Sequence, residues 1–549
     1  MYGKIAAIKK EDYLKMGLAA NKDDKKVNRK ELKKIEKEIN DNTRMLVKVM
    51  NMGENNDHLQ RILDSKLTSS EQAAPMYFMY KDHKESGGWR PVVSGCSSNT
   101  LGLSNLVSEM IEAVCSAVKN PYEVISSTDM LARCEHFNEW LSKETNEKKS
   151  NGITDWDWRE EMMLLGSDVV ALFPSLSADV TSKIVRKQVT KSPITWQNID
   201  HTWLRMYVHL NEHLSSDIST VRHLLPYKKK GRKGKESGMS SDECKKRNLR
   251  INCKTSCWDW PNVEITEKDI KELLGITMEI VVKFFFTNFV YTFAGENFLQ
   301  STGGPIGARL TMCIARLVMQ DWSEHFTDIL KENKIRELLR GIYVDDGRNI
   351  IELLRLGTRY DVENKLFTYS EEKEKKDIEN GVSKKKLTEI EISKLMNSIN
   401  PDLKFTTETE VDIKNQRLPT LSFELWSERQ GLKHSYFEKD MRSQVLTMQR
   451  SSMAEQSKFS ILVNELVRRF EVMSASLEES EQISIVNHYT KQLRNSGYNN
   501  KQAKDIVISA IRGVMRKRER RSNQERRYLT GEETLENRIT KKLTEASNW

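Results

Sequence analysis

Two apolar runs in this chain end on acidic residues, and together those acids could hold metal ions. In Gly341-Ile342-Tyr343-Val344-Asp345-Asp346-Gly347-Arg348-Asn349-Ile350, β-forming residues run into Asp-Asp-Gly, and apolar residues resume beyond it. The pattern predicts a tight hairpin with the acidic pair at its tip. Two adjacent carboxylates there repel each other unless a cation lies between them or water solvates both. In Met162-Met163-Leu164-Leu165-Gly166-Ser167-Asp168, a second apolar run ends on an acid, with Phe173 and Pro174 shortly after. A lone aspartate at a strand end is ordinarily a cap or turn residue. Its interest comes from combination with the pair.

Carboxylates from separate elements can hold two Mg²⁺ a few Å apart, one activating a hydroxyl nucleophile and one steadying a leaving pyrophosphate. The transition state of such a nucleotidyl transfer is highly charged and needs positioning more than covalent chemistry. Accordingly, the candidate residues are acids, basic side chains and glycines, with no nucleophile among them.

The elements that must position these residues can be read along the chain. Residues 1–70 are charged and helix-prone, as in Arg29 to Asn40, which has apolar residues on one face, and they read as a helical lead-in. From 71 to 442, helical patterns alternate with short apolar runs that end in acidic or glycine-containing turns, which predicts an α+β core. Two stretches, about 226–262 and about 356–396, read as surface insertions: the first holds the basic run Lys228 to Lys235, the second the charge-rich span from Ser370 to Lys394. Residues 443–549 read as helical and basic, with Ile461, Leu462, Leu466 and Phe470 along one face, and carry the run from Arg516 to Arg521.

At 549 residues the chain is long enough for a large core or several packed subdomains. A hydrophobic share of 38% and a charged share of 30% exclude a disordered chain. The net charge of +9 favours a polyanionic partner, since phosphate backbones release counterions to clustered Lys and Arg. Seven mostly isolated cysteines point to reduced thiols in an intracellular setting. Lys9, Lys10 and Glu11 interrupt the N-terminus, and Lys283 and Asn288 interrupt the most apolar stretch, Ile280 to Phe293. We therefore expect no signal peptide, no membrane span and no membrane partner.

With these residues in view, the chain resembles the reverse transcriptases, and among them the Penelope-like retroelements, relatives of telomerase. Tyr343-Val344-Asp345-Asp346 is similar to the family's metal-binding signature. Asp168 with Phe173 resembles the preceding catalytic motif, in which the aromatic bars a ribose 2′-hydroxyl. The resemblance implies a right-hand polymerase fold, with fingers, a palm carrying an antiparallel sheet, and a helical thumb. It also implies two Mg²⁺, replaceable by Mn²⁺, on Asp168, Asp345, Asp346 and the backbone of Val169. The implied partners are an RNA template, a DNA primer and deoxynucleoside triphosphates.

Further segments follow in the family's order. Tyr80 to Lys84 and Trp89-Arg90-Pro91-Val92-Val93 resemble the fingers segment, which implies that Arg90, with Lys81 and Lys84, grips the incoming triphosphate. Val290 to Gln300, a hairpin by its pattern, leads into Gly303-Gly304-Pro305-Ile306-Gly307, similar to the loop that lies against template and base. Gln300, Gly304, Gly307 and Tyr343 thereby become nucleotide-binding candidates, the glycines allowing close approach of the backbone. Asn400 to Glu410, Leu418 to Leu425 and Ser435 to Lys439 continue the series, the last resembling the primer-supporting segment. The helix around Arg468 and Arg469 resembles the start of the thumb, so Lys439, Arg468 and Arg469 are nucleic-acid-binding candidates. The chain departs from the family at Ala308-Arg309, usually Ser-Pro, and at Ser422, usually Asp.

Some features carry less. Cys244, Cys253 and Cys257 have poor zinc-ligand spacing and read as free thiols. Gly341-Ile342-Tyr343 resembles half of a GIY-YIG nuclease motif but belongs to the hairpin, so an endonuclease, if one acts, is supplied by another chain. The basic runs read as nucleic-acid contacts or nuclear-import signals, consistent with a nuclear protein. A catalytically idle nucleic-acid-binding relative is the alternative of a different class, disfavoured by the intact set Asp168, Asp345, Asp346, Arg90 and Phe173. A telomerase-type enzyme is a further alternative, disfavoured by the short lead-in before Pro75.

Overall fold

The computed structural model describes residues 9–50, 73–80, 89–95, 98–118, 120–194, 199–228, 258–413, 415–438, 445–474 and 477–529. The candidate carboxylates Asp168 and Asp346 lie on a four-stranded sheet of order Phe405–Thr409, Met162–Val169, Asp346–Glu352, Glu337–Tyr343, antiparallel throughout, with Asp345 in the turn before Asp346. Apolar side chains cover both of its faces, which explains the unbroken run at Met162 to Leu165. Met163, Leu165, Ile351 and Phe405 join the main core with helices Leu101–Val118, Glu267–Thr287 and Arg309–Glu332. Met162, Leu164, Leu339 and Ile350 join a second cluster with helix Ser127–Ser150 and a three-stranded sheet, Leu418–Thr420, Phe423–Glu428 and Gly431–Tyr436. The observed class is α+β.

A five-stranded sheet lies beside this core, with strand order Lys25–Val27, Glu296–Leu299, Val290–Phe293, Ala74–Tyr80, Trp89–Val93. The predicted hairpin at Val290 is present, turning at Ala294 (φ 52°) and Gly295 (φ 85°). The N-terminal segment is more than a lead-in: it supplies the edge strand of this sheet. Its helix Arg29–Val49, started by a capping box of Asn28 and Glu31, buries Ile39, Leu46 and Val49 in the main core.

The span 356–396 also departs from the expectation of a surface insertion. Helix Glu371–Glu379 is largely exposed, but helix Lys384–Ile399 puts Ile392, Leu395 and Met396 into the main core, and Trp322 Nε1 donates to the Met396 carbonyl at 3.1 Å. Most of the first insertion, with Lys229 to Lys235 and Cys244, Cys253 and Cys257, lies outside the described residues. Its flanks pair as Tyr227–Lys228 with Trp258–Asp259. Cys115, Cys134 and Cys313 are free and buried.

Helices Glu455–Glu471, Glu479–Asn495 and Asn500–Leu529 pack around a core of their own, including Leu462, Leu466, Tyr489, Leu493 and Ile506. Among the described residues, one helix, Leu101–Val118, is long and apolar enough to cross a membrane. Its buried residues, among them Leu103, Val107, Ile111 and Val114, pack into the main core.

Candidate active site

Register places the acids. Asp346 stands directly opposite Asp168, and Thr406 stands opposite Asp168 on its other side. Directly paired residues project to one face, so Asp346, Asp168 and Thr406 form a single rung. Asp345 sits in the turn beside this rung. The turn is pinned to the Asp168 strand, because Val169 N donates to the Asp345 carbonyl at 3.0 Å. Val344, a β-branched residue, takes a left-handed φ of 61° there and packs against the main core. Non-glycine strain of this kind persists only where the surroundings enforce it, and it concentrates at functional sites.

Electrostatics record the crowding. The Asp345 carboxyl is held above its ordinary range by burial first and then by the negative charges of Asp168 and Asp346, while Arg90 acts in the opposite sense. Arg90, exposed on strand Trp89–Val93, lies near enough to Asp345 for its charge to act on that carboxyl. Tyr343 pairs with Asp346 across the hairpin and is also exposed.

Two residues beside the acids carry no signal in the sequence. Arg348, 4% exposed, donates from Nη1 to Asp346 Oδ1 at 2.5 Å and from Nε to Thr420 Oγ1 at 2.9 Å. Glu408 lies on the far side of the Asp168 strand, and its carboxyl is raised chiefly by burial, with Arg348 opposing and Asp346 and Asp168 adding to the rise.

The donor set is all oxygen, which suits Mg²⁺. That ion is usually held by one or two carboxylates together with substrate phosphates rather than by a cage made wholly of protein. Among the described residues no group of three or more His, Cys, Asp or Glu is positioned to hold a metal ion. As they stand the three carboxylates close no cage on an ion: one Asp346 oxygen is engaged by Arg348, and a bound Mg²⁺ would need substrate oxygens as well.

Phe173 lies on the short helix Leu172–Ser175 that follows Asp168, half-buried against the main core. Its carbonyl accepts from Gly304 N at 2.8 Å, joining it to the glycine loop. The glycines were expected to admit nucleic acid, but protein occupies the space their missing side chains leave. A Cβ on Gly304 would stand 2.4 Å from Thr311 Cγ2, and one on Gly307 (φ 110°) 2.3 Å from the Val93 carbonyl oxygen. These glycines let the loop seat on the Arg90 strand and on helix Arg309–Glu332. Gln300 likewise spends its amide inside the loop, donating to the Thr302 and Gly303 carbonyls, both at 2.9 Å. Asp24, in the charged N-terminal segment, fixes the loop from outside by accepting from Ser301 N at 2.7 Å and from Tyr291 Oη at 2.5 Å.

Lys81, Lys84 and Lys439 lie outside the described residues. Ser422, at the family's usual aspartate position, shares a 2.9 Å hydrogen bond with Ser127. Arg309, at the other departure, pairs with Glu112 at 2.7 Å.

The expectation that Arg468 and Arg469 reach phosphate is corrected for Arg469. That side chain is fully buried, bonded to Glu465 at 3.2 Å and Gln492 at 2.9 Å, with its guanidinium against the rings of Tyr436 and Tyr489. Arg468 is partly exposed but is matched by the same Glu465, at 2.9 Å. Arg469→Ala is therefore expected to lower stability by about 3–5 kcal/mol, the usual cost of stripping one partner from a buried ion pair. It should leave the salt dependence of nucleic-acid binding unaltered. Denaturant unfolding and a salt titration of binding check both halves; a changed salt slope in a stable mutant would return Arg469 to the phosphate contacts.

No protein-family model matches the chain, and no curated protein matches it. Among solved structures, it is similar to telomerase from Candida albicans in complex with the TWJ fragment of telomeric RNA, at 11% identity and a TM-score of 0.41, covering 92% of this chain and 64% of that one. It is also similar to apo telomerase from Candida tropicalis, at 11% identity and a TM-score of 0.33, covering 81% of this chain and 62% of that one. The chain spans less than two thirds of the length of either.

Proposed function

We propose that the chain is an RNA-directed DNA polymerase of the Penelope-like kind, which extends a DNA primer on an RNA template using deoxynucleoside triphosphates. The observation that carries this reading is the acidic rung: Asp168 and Asp346 in direct register, Asp345 in the pinned turn beside them, and Arg90 near enough for its charge to act on Asp345. Mg²⁺, or Mn²⁺ in its place, would be held by Asp168, Asp345 and Asp346 with the Val169 carbonyl, and when bound supplies activation of the primer hydroxyl and charge neutralisation at the pyrophosphate.

The chain's own residues do the positioning. Arg90, with Lys81 and Lys84, binds the triphosphate as charged donors. Phe173 supports the deoxyribose, and the seated loop Gly303 to Gly307, with Tyr343, forms the surface for base and template. Lys439 and the basic run from Arg516 follow the nucleic-acid backbone through phosphate contacts. A retroelement protein with this chemistry would work in the nucleus, with any endonuclease supplied by another chain.

Primer extension by the purified chain tests the reading on RNA and DNA templates, with deoxy- or ribonucleotides, and with Mg²⁺, Mn²⁺ or chelator. Metal-dependent incorporation of deoxynucleotides on RNA is expected. Retained primer–template binding with no incorporation under either metal would leave a binding protein and overturn the assignment.

A further inference from the structure

The rung next to the acids carries a second set of charges. Arg348, Gly166 and Glu408 align across three neighbouring strands, one same-face step from Asp346, Asp168 and Thr406. A Cβ on Gly166 would stand 2.9 Å from Glu408 Cγ and 3.4 Å from Arg348 Nη1, so Arg348 and Glu408 approach each other over the space this glycine leaves. Arg348 Nη1 is 2.5 Å from Asp346 Oδ1, and Nη2 is 3.8 Å from Glu408 Oε1. Its Nε bond to Thr420 and a further bond to the Pro419 carbonyl anchor the guanidinium to the three-stranded sheet. The group is fixed on one side and lies between two carboxylates on the other.

A buried guanidinium is costly without a counter-charge. Asp346 provides one. A carboxylate oxygen that takes up a cation has less to give an arginine, because both draw on the same lone pairs. Among the described residues, Glu408 is the one other carboxylate paired with Arg348, and its side chain is 45% exposed and so has room to move.

We propose that Arg348 and Glu408 are a positioning pair for Asp346: Arg348, anchored between the two carboxylates, holds Asp346 in place, and Glu408 takes a share of its charge so that Asp346 keeps oxygens to offer a cation. The inference rests on the metal-dependent polymerase reading above. Gly166 is the residue that leaves room for Arg348 and Glu408 to meet.

The test is Mn²⁺ binding, followed by the EPR signal of the free ion, on the full chain with a dideoxy-terminated primer–template and the next deoxynucleotide, so that no turnover is needed. Glu408→Gln is expected to weaken Mn²⁺ binding about fivefold or more, in the range of couplings between linked sites, without changing primer–template affinity. In an Arg348→Gln background the same change should have no further effect, since the charge it would have received is gone. If Arg348→Gln does not fold, Arg348→Lys takes its place, with a reduced but still non-additive effect expected because a lysine head lacks the planar fork. An unchanged affinity in Glu408→Gln, or equal effects in both backgrounds, overturns the pair and leaves the polymerase reading intact. If Asp345→Asn also leaves Mn²⁺ binding unchanged, both fall.

Discussion

Asp345→Asn is expected to reduce primer extension by at least about a thousandfold, the loss that follows when several kcal/mol of transition-state charge stabilisation disappear. Primer–template affinity should stay close to wild type, because the substitution removes a proposed metal ligand and no proposed phosphate contact. Stability should move the other way. The Asp345 carboxyl is raised by burial and by the charges of Asp168 and Asp346. The folded chain therefore holds that proton more tightly than the unfolded chain does. Its contribution is fully present below the unfolded value and is lost as pH rises through the folded one, so at neutral pH the ionised carboxylate weakens the fold. Asparagine removes that charge. The mutant's melting temperature at pH 7 in chelator should equal or exceed that of wild type, whereas added Mg²⁺ should raise the wild-type value more than the mutant's. Extension at the wild-type rate, or a mutant less stable than wild type in chelator, would remove Asp345 from a cation site.

What the sequence made legible follows from the range of each signal. The hairpin tip at Asp345 was readable because its strands, turn and acids are contiguous. The pairing of Asp346 with Asp168 was not, since it depends on a register between strands 178 residues apart in numbering (346 − 168). Arg348 and Glu408 were missed for the same reason: each looks like an ordinary strand residue, and they become a pair only across Gly166. Helix Lys384–Ile399 misled because acids share its buried face. Glu391 is 1% exposed and is satisfied by the Tyr360 backbone at 2.8 Å and by Lys394 at 2.8 Å, so a charged stretch could enter the core. Arg469 was recoverable. Leu462, Leu466 and Arg469 fall at i, i+4 and i+7, which is one helix face, and that spacing assigns Arg469 to the buried stripe. The glycine loop gave the right residues for the wrong reason. Gly304 and Gly307 permit close approach, but the closely approaching groups are Thr311 and Val93.

The join between that loop and Phe173 bears on sugar selection. Phe173 is half-buried, five residues beyond Asp168, and its carbonyl is tied to Gly304. In the polymerase reading proposed above, this ring packs beneath the deoxyribose and clashes with a 2′-hydroxyl. Replacing it with valine keeps an apolar side chain and opens space where the ring stood. Phe173→Val is therefore expected to shift the ratio of kcat/KM for ribonucleotides over deoxynucleotides by about 10–200-fold toward ribonucleotides, the range that small changes in a pocket's volume produce. Deoxynucleotide efficiency should fall modestly, because the sugar loses supporting surface. The competing account makes Phe173 a core aromatic and nothing more. Its truncation would then lower both activities together, with a stability loss below the roughly 3–5 kcal/mol of a fully buried phenylalanine. The carbonyl bond to Gly304 is a backbone contact and survives the substitution, so the loop should stay seated in either case. Measuring both kcat/KM ratios and the melting temperature on one preparation separates the accounts: a destabilised enzyme with an unaltered sugar ratio would take Phe173 out of the nucleotide site, and a shifted ratio at near-native stability would make it the residue that selects the sugar.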